Sequence, residues 1–270
     1  MDGNRDSAPA AAAGRAEGAA GDRAEALLSL VNTPSAEALL AAIGHCLDLG
    51  RGFAVATLNL DHLVKLRHSP GFRAAYAAQT HVVADGRPVV WLRRLAGRPV
   101  ELAPGSELVE PLMTLAAARG VPVALLGATD ETLATAAARL EGTHPGLRVV
   151  ARIAPPFGFD PEGPGADAAF DALAAGGARL VMLALGAPKQ EVLAARGLAR
   201  LPGCGFVSVG AGLDFIAGSQ RRAPRWMRRL ALEWLWRMLG NPRRLAKRYL
   251  LCLAILPEMT LAALRLRRAG

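Results

Sequence analysis

The sequence predicts an α/β fold, a Rossmann-like parallel-sheet core with helices on both faces and a C-terminal basic amphipathic helical appendage. Short apolar runs alternate with helical stretches along residues 53–209, an alternation typical of a parallel sheet. Between 215 and 270 there are 13 Arg or Lys and two acidic residues, which gives +11 against +9 for the whole chain. The basic charge is therefore confined to the C-terminal segment.

Composition divides the chain into three predicted parts. Residues 1–25 are rich in Ala and Gly and lack the apolar run of a signal peptide, so we expect them to be disordered. Residues 26–218 are expected to form the core and residues 219–270 the appendage. The three cysteines show no metal-binding or CxxC spacing, which fits buried thiols in a reducing compartment. No metal site is predicted.

The elements of the core follow from apolar periodicity and from turn residues. Ser35 is suited to cap the first core helix, and Asp130 is expected to cap the helix that runs to Leu140. Pro70-Gly71 interrupts the helical stretch 61–78. The predicted strands are 53–60, 80–86, 121–127, 147–153, 179–186 and 206–209, and the other predicted helices are 35–48, 87–97, 105–119, 166–175 and 188–200.

Polar side chains gather where the first two predicted strands end. Thr57, Asn59 and Asp61 lie at the end of the first, and ligands bind at such ends in open α/β sheets. For Asp61, capping of the next helix is an equally good interpretation. The second strand is followed by Asp85, which would be well placed as a base, although Asp before Gly is usually only a turn.

The strand predicted at 179–186 is followed by Pro188 and Lys189. A proline at a helix start leaves backbone N–H groups free to face an anion, and Lys189 adds positive charge. Neither this junction nor the glycines near 210 match a Walker loop or a dinucleotide fingerprint. No cofactor is predicted.

The appendage begins with a predicted amphipathic helix at 224–239 and continues with a second basic helix after Pro242. An apolar run at 249–257 is shorter than the ~20 residues that a bilayer-spanning helix needs. Three interpretations are open: a solvated charged face, a nucleic-acid patch, and a membrane-surface helix pair whose arginines also bind an anionic ligand. The apolar stripe of the first helix consists of Trp226, Leu230, Trp234 and Met238.

Six motifs occur in series and together are very specific. They are TLNLDHL at 57–63, ADGRPVVW at 84–91, GSEL at 105–108, GAPKQE at 186–191, VGAGLDFIAG at 209–218 and RAPRWMRRLALEWLWRMLGNPRRLAKRYL at 222–250. These motifs closely resemble the WecG/TagA/CpsF family of bacterial glycosyltransferases (glycosyltransferase family 26) over residues 30–250. The resemblance implies a membrane-engaging appendage and an inverting, metal-independent transfer of a sugar from a UDP-sugar to a sugar on a polyprenyl-diphosphate lipid.

The same resemblance implies roles for individual residues. The family's base falls on Asp85, which would take the proton from the acceptor hydroxyl. We add Lys189 as a candidate residue for binding the donor phosphates, because of its charge at the helix start. The polar residues of the sugar pocket correspond to Thr57, Asn59 and Gln190, and the arginines that close over the UDP diphosphate correspond to Arg237, Arg244 and Arg248.

The sequence departs from the family pattern at Leu102, where many members have Arg, and at Val192-Leu193, which replace a common Trp. Both departures bear on the donor, which could carry N-acetylmannosamine or another hexose.

The expected partners are the UDP-sugar, the polyprenyl-diphosphate acceptor and the anionic inner face of the cell membrane, with no nucleic acid. A homo-oligomer is left open. The alternatives are a non-catalytic scaffold of a polysaccharide assembly complex and a nucleic-acid-binding protein with steeply salt-dependent affinity.

Overall fold

The computed structural model describes residues 21–220, residues 242–269 apart from the side chain of Arg244, and isolated positions between 224 and 239. The predicted helix 224–239 therefore lies largely outside the described residues, as does Arg237. The strands are β1 Phe53–Leu58, β2 His81–Ala84, β3 Pro122–Gly127, β4 Arg148–Ile153, β5 Leu180–Ala184 and β6 Gly205–Ser208. The helices are α1 21–29, α2 Ala36–Asp48, α3 Leu60–His68, α4 Pro70–Ala77, α5 Arg87–Leu95, α6 Gly105–Ala118, α7 Asp130–Thr143, α8 Pro164–Ala175, α9 Lys189–Arg200, α10 Gly212–Ala217, α11 Pro242–Ala254 and α12 Leu256–Ala269.

The six strands form one sheet in the order β2-β1-β6-β5-β3-β4, and every neighbouring pair is parallel. This confirms the predicted α/β class. β1 is buried along its whole length because helices cover both faces of the sheet. Its side chains alternate between faces, so that Val55 packs with α2 and α6 whereas Ala56 packs with the α3–α5 group.

The residue that caps the helix is the predicted one at one helix and a different one at two. Ser35 caps α2 as predicted, with its hydroxyl accepting a hydrogen bond from the Ala38 N–H at 3.1 Å. α3 is capped by Asn59, not Asp61, and α7 by Thr129, not Asp130. In both cases a suitable residue one or two positions earlier has the extended backbone conformation of a cap. The aspartate therefore lies inside the first turn of the helix.

Two terminal helices complete the core beside β1 and β2. α1 includes residues 21–25 of the stretch predicted to be disordered, and its Leu27 and Leu28 are buried. Met259 and Ala263 of α12 are fully buried in the same cluster, together with residues of α5. The apolar run predicted at 249–257 is therefore divided between two helices. Most of it forms the last turns of α11, and its last residues begin α12, which packs into the core.

The segment Leu245–Ala269 is long and apolar enough to cross a membrane by length and composition, with a mean hydropathy of 1.6 in its most apolar window. Only 28% of that window is buried. The structure divides the segment at Ile255 into α11 and α12, and one face of α12 belongs to the core. The segment is therefore not one continuous exposed helix, and the residues that it exposes form only part of the surfaces of α11 and α12.

Candidate functional site

The edge formed by the C-terminal ends of the strands, here called the carboxyl edge, carries several helix N-termini. α5, α6 and α9 begin there at Gly86, Pro104 and Pro188, and none of the three has a side-chain hydrogen bond that caps it. The first N–H groups of a helix have no partner within the helix and attract negative charge. The carboxyl edge is thus suited to bind an anion.

The ends of β1 and β2 bring three predicted site residues together. The Asp85 N–H donates to the Leu58 carbonyl at 2.8 Å, which extends the ladder between the strands by one residue. The Thr57 hydroxyl, 4% exposed, donates to Asp85 Oδ2 at 3.5 Å. Asn59 lies beside them, since a Cβ placed on Gly86 would be 4.0 Å from the Asn59 Cβ. Asp85 therefore stands in a small polar cluster at the carboxyl edge.

Gln190 and Lys189 lie at the start of α9 and differ in environment. Gln190 is 2% exposed, and both ends of its amide are engaged within the protein. Its Oε1 accepts from the Gly186 N–H at 3.2 Å and its Nε2 donates to Glu191 Oε1 at 2.8 Å. In this structure Gln190 shapes the turn before α9, and its contact with a sugar stays a prediction.

Lys189 lines a cleft of about 280 Å³ between the ends of β3 and β5. The chain leaves these two neighbouring strands in opposite directions, to β4 and to β6, and such switch points are where α/β sheets bind ligands. The loop after β4 forms one wall of this cleft with Phe157 and Phe159. A larger cleft of about 410 Å³ lies between α6, α7 and α10, and the described residues that line it include none of the predicted site residues.

Of the three predicted arginines, only the Arg248 side chain lies within the described residues. Its Nε is 2.8 Å from Oδ1 of Asp61 on α3, so α11 is tied to the core next to β1. Leu102, at the position where many family members have Arg, is 39% exposed and bridges to Ala84 at the end of β2. This departure from the family pattern therefore lies next to Asp85.

A buried polar network beneath the cluster was not predicted. The Tyr76 hydroxyl donates to the Thr57 carbonyl at 2.9 Å, and His62 Nδ1 is 2.7 Å from the same hydroxyl oxygen. Since Tyr76 has one proton to donate, Nδ1 of His62 carries the hydrogen of the second bond. Burial lowers the pKa of His62 to about 4 and raises the pKa of the nearby Glu191 to about 7. Glu191 shares a helical face with the buried Ala194, which is the signal that could have placed it inside.

The two shifted groups have opposite effects on stability. His62, with its pKa lowered from 6.5, contributes stability that is present above pH 6.5 and lost as the pH falls through about 4. Glu191, with its pKa raised from 4.5, contributes stability that is present below pH 4.5 and lost as the pH rises through about 7.

We expect Glu191→Gln to remove the dependence of stability on pH that Glu191 causes. Relative to the original protein, its free energy of unfolding should increase between pH 4.5 and 7 by roughly 3 kcal/mol, because a shift of one pKa unit corresponds to about 1.4 kcal/mol. Urea denaturation at pH 4.5 and pH 7 measures this. His62→Gln serves as the reciprocal control, with a change of opposite sign, and parallel curves for Glu191→Gln and the original protein would contradict the assignment.

Metal ligation finds no support among the residues described here, where no three His, Cys, Asp or Glu side chains are grouped as a metal site requires. Metal independence stays a prediction.

The model of the glycosyl transferase WecG/TagA/CpsF family matches residues 26–269, nearly the whole chain. The match includes the carboxyl-edge cluster as well as α11 and α12. The chain therefore belongs to the WecG/TagA/CpsF family and is a glycosyltransferase of polysaccharide and cell-wall biosynthesis.

Proposed function

We propose that the protein transfers a hexose from a UDP-sugar to a sugar on a polyprenyl-diphosphate lipid, with inversion and without a metal ion. One observation carries the proposal: Asp85 stands on the same carboxyl edge as three helix N-termini that have no side-chain cap. A base and an anion site on one edge are the two features that this transfer needs.

The donor is proposed to bind in the cleft between β3 and β5. The exposed Phe157 offers an apolar face to the uracil ring, with the mostly buried Phe159 behind it, and Lys189 offers a positive charge to the phosphates. The start of α9, which no side chain caps, includes Lys189, and the positive end of the helix dipole adds to its charge. This orientation directs the diphosphate toward the centre of the carboxyl edge.

Asp85 is proposed to accept the proton of the acceptor hydroxyl as that oxygen attacks the anomeric carbon. The hydrogen bond from Thr57 orients the Asp85 carboxylate. Attack on the side opposite the leaving UDP inverts the configuration in a single displacement. The negative charge that develops on UDP is stabilised by helix N-termini, by Lys189 and by arginines of the appendage.

The acceptor lipid requires the protein to work at a membrane, and α11 and α12 carry a suitable surface. Leu250, Leu253 and Leu261 are exposed by more than half, and the exposed Arg243 and Lys247 lie on α11 as well. Apolar and basic side chains together favour the surface of an anionic bilayer. We therefore propose peripheral attachment to the inner face of the cell membrane.

The test is UDP release from a panel of UDP-sugars, with and without a short-chain polyprenyl-diphosphate-sugar acceptor, in the presence of EDTA. We expect acceptor-dependent release with one donor, and inversion is checked by the anomeric configuration of the product. Release that requires an added divalent metal would contradict the metal-free mechanism. A folded, membrane-bound protein that is silent with every donor would favour the scaffold alternative.

A further inference from the structure

Asp61, in the first turn of α3, lies between two cations. It is 8% exposed, with its Oδ1 at 2.8 Å from Arg248 Nε and its Oδ2 at 2.8 Å from Lys65 Nζ. Neither Oδ2 of Asp61 nor Nε of Arg248 makes a well-directed hydrogen bond in this arrangement, so both contacts are ion pairs. One carboxylate therefore compensates two positive charges that would otherwise repel each other.

Lys65 extends this cluster to the donor side of the site. Its Nζ also donates to the Ala187 carbonyl at 3.1 Å, directly before Pro188 and the uncapped start of α9. The contacts thus join three segments that are distant in sequence: α3, α11 of the appendage, and the turn before α9. Asp61 is the member that both cations share.

We propose that Asp61 is a positioning residue for the transfer, and this rests on the proposed function. It holds Arg248 at the carboxyl edge and, through Lys65, fixes the turn that precedes the positive end of the α9 dipole. Because the Asp61 side chain is only 10% exposed, salt screens its attraction for the two cations less than it would at the surface. Arg248 and α9 are thereby held in place before the donor diphosphate arrives.

A second ion pair between α3 and the C-terminal helices provides a matched control. Arg67 on α3 and Glu258 on α12 are 2.6 Å apart, and each side chain is about a third exposed. This pair ties α12 to α3, and within the described part of the chain its contacts lie on these two helices. Exposed ion pairs of this kind contribute little to stability.

The experiment measures kcat, KM for the UDP-sugar and melting temperature in five variants of the full chain: Asp61→Asn, Asp61→Glu, Glu258→Gln, Arg248→Gln and the Asp61→Asn/Arg248→Gln double variant. Asp61→Asn should lower kcat/KM roughly 10- to 100-fold, mainly by raising KM for the donor. Asp61→Glu, which keeps the charge, should recover most of that loss. Glu258→Gln should change kcat/KM by less than about threefold.

The double variant separates positioning from a general effect on the fold. In the Arg248→Gln background, Asp61→Asn should cost at most about threefold, since the cation that it positions is gone and only the Lys65 branch remains. A loss that is equal in both backgrounds would overturn the proposal. So would normal kinetics in Asp61→Asn, or a lower melting temperature as its only change.

Amide hydrogen exchange tests the same contact without any substrate. Asp61→Asn should accelerate exchange in α11 but not in the distant α7, and unchanged protection of α11 would overturn the positioning role. If the original protein turned over no UDP-sugar, the proposed function would fail. The exchange result would still decide whether Asp61 holds α11.

Discussion

Asp85→Asn is expected to lower kcat by about 10²–10⁴-fold, the range that general-base catalysis typically contributes. The amide has nearly the same shape as the carboxylate and can still accept the hydrogen bond from Thr57, but it cannot take up the acceptor proton. The donor binds away from this group in the proposed site, so its KM should change little. Initial rates of UDP release with saturating acceptor measure the effect.

Asp130→Asn is the matched control, because Asp130 lies in the first turn of α7 and is exposed there. Its kcat should equal that of the original protein. The pH profile of Asp85→Asn should also lose the acidic limb that reports ionisation of the base. A rate near that of the original protein would rule out Asp85 as the base and leave it a role in positioning.

Met259→Glu should lower the free energy of unfolding on the order of 3–5 kcal/mol, since it places an unpaired charge in the core. Met259 is fully buried against residues of α1 and α5. For a domain of this size the melting temperature should fall by roughly 10 °C. Chemical and thermal denaturation of the detergent-solubilised protein measure the loss.

Leu261→Glu is the matched partner, two residues along α12 and 58% exposed. Its stability should change by less than about 0.5 kcal/mol. Its binding to vesicles that contain anionic lipid should weaken by about tenfold or more, because an apolar contact with the bilayer is replaced by a charge. Equal loss of membrane binding in both variants, without a change in stability, would show that α12 lies in the bilayer on all sides.

The strands and most of the helices were predictable because most strands are short apolar runs between strong turn residues. β1, for example, reads FAVATL, an apolar run with one threonine, and all six of its residues are buried. The caps were harder: Asn59 and Asp61 are both suitable residues, and only the backbone conformation at Asn59 decides between them. Strand order was beyond the sequence, because it depends on packing between distant segments.

The candidate site was predictable in part. Thr57, Asn59 and Asp85 came from strand ends and from the family resemblance, and the structure places them together. The Asp61–Arg248 contact was not predictable, since it pairs residues far apart in the chain and depends on how α11 packs against α3. α12 was missed for a related reason: its buried face becomes recognisable only beside its partners in α1 and α5.

The packing of α12 beside α1 has a consequence for biosynthesis. The two helices lie at opposite ends of the described chain, yet Leu28 and Met259 belong to one buried cluster. At a synthesis rate of about 5–20 residues per second, the nascent α1 waits on the order of ten seconds or more for the segment that covers it. During that interval the part of its apolar face that α12 covers in the folded protein is exposed on the ribosome. Chaperones that bind nascent chains would find a binding site there, and a stop codon before residue 256 would leave that part exposed permanently.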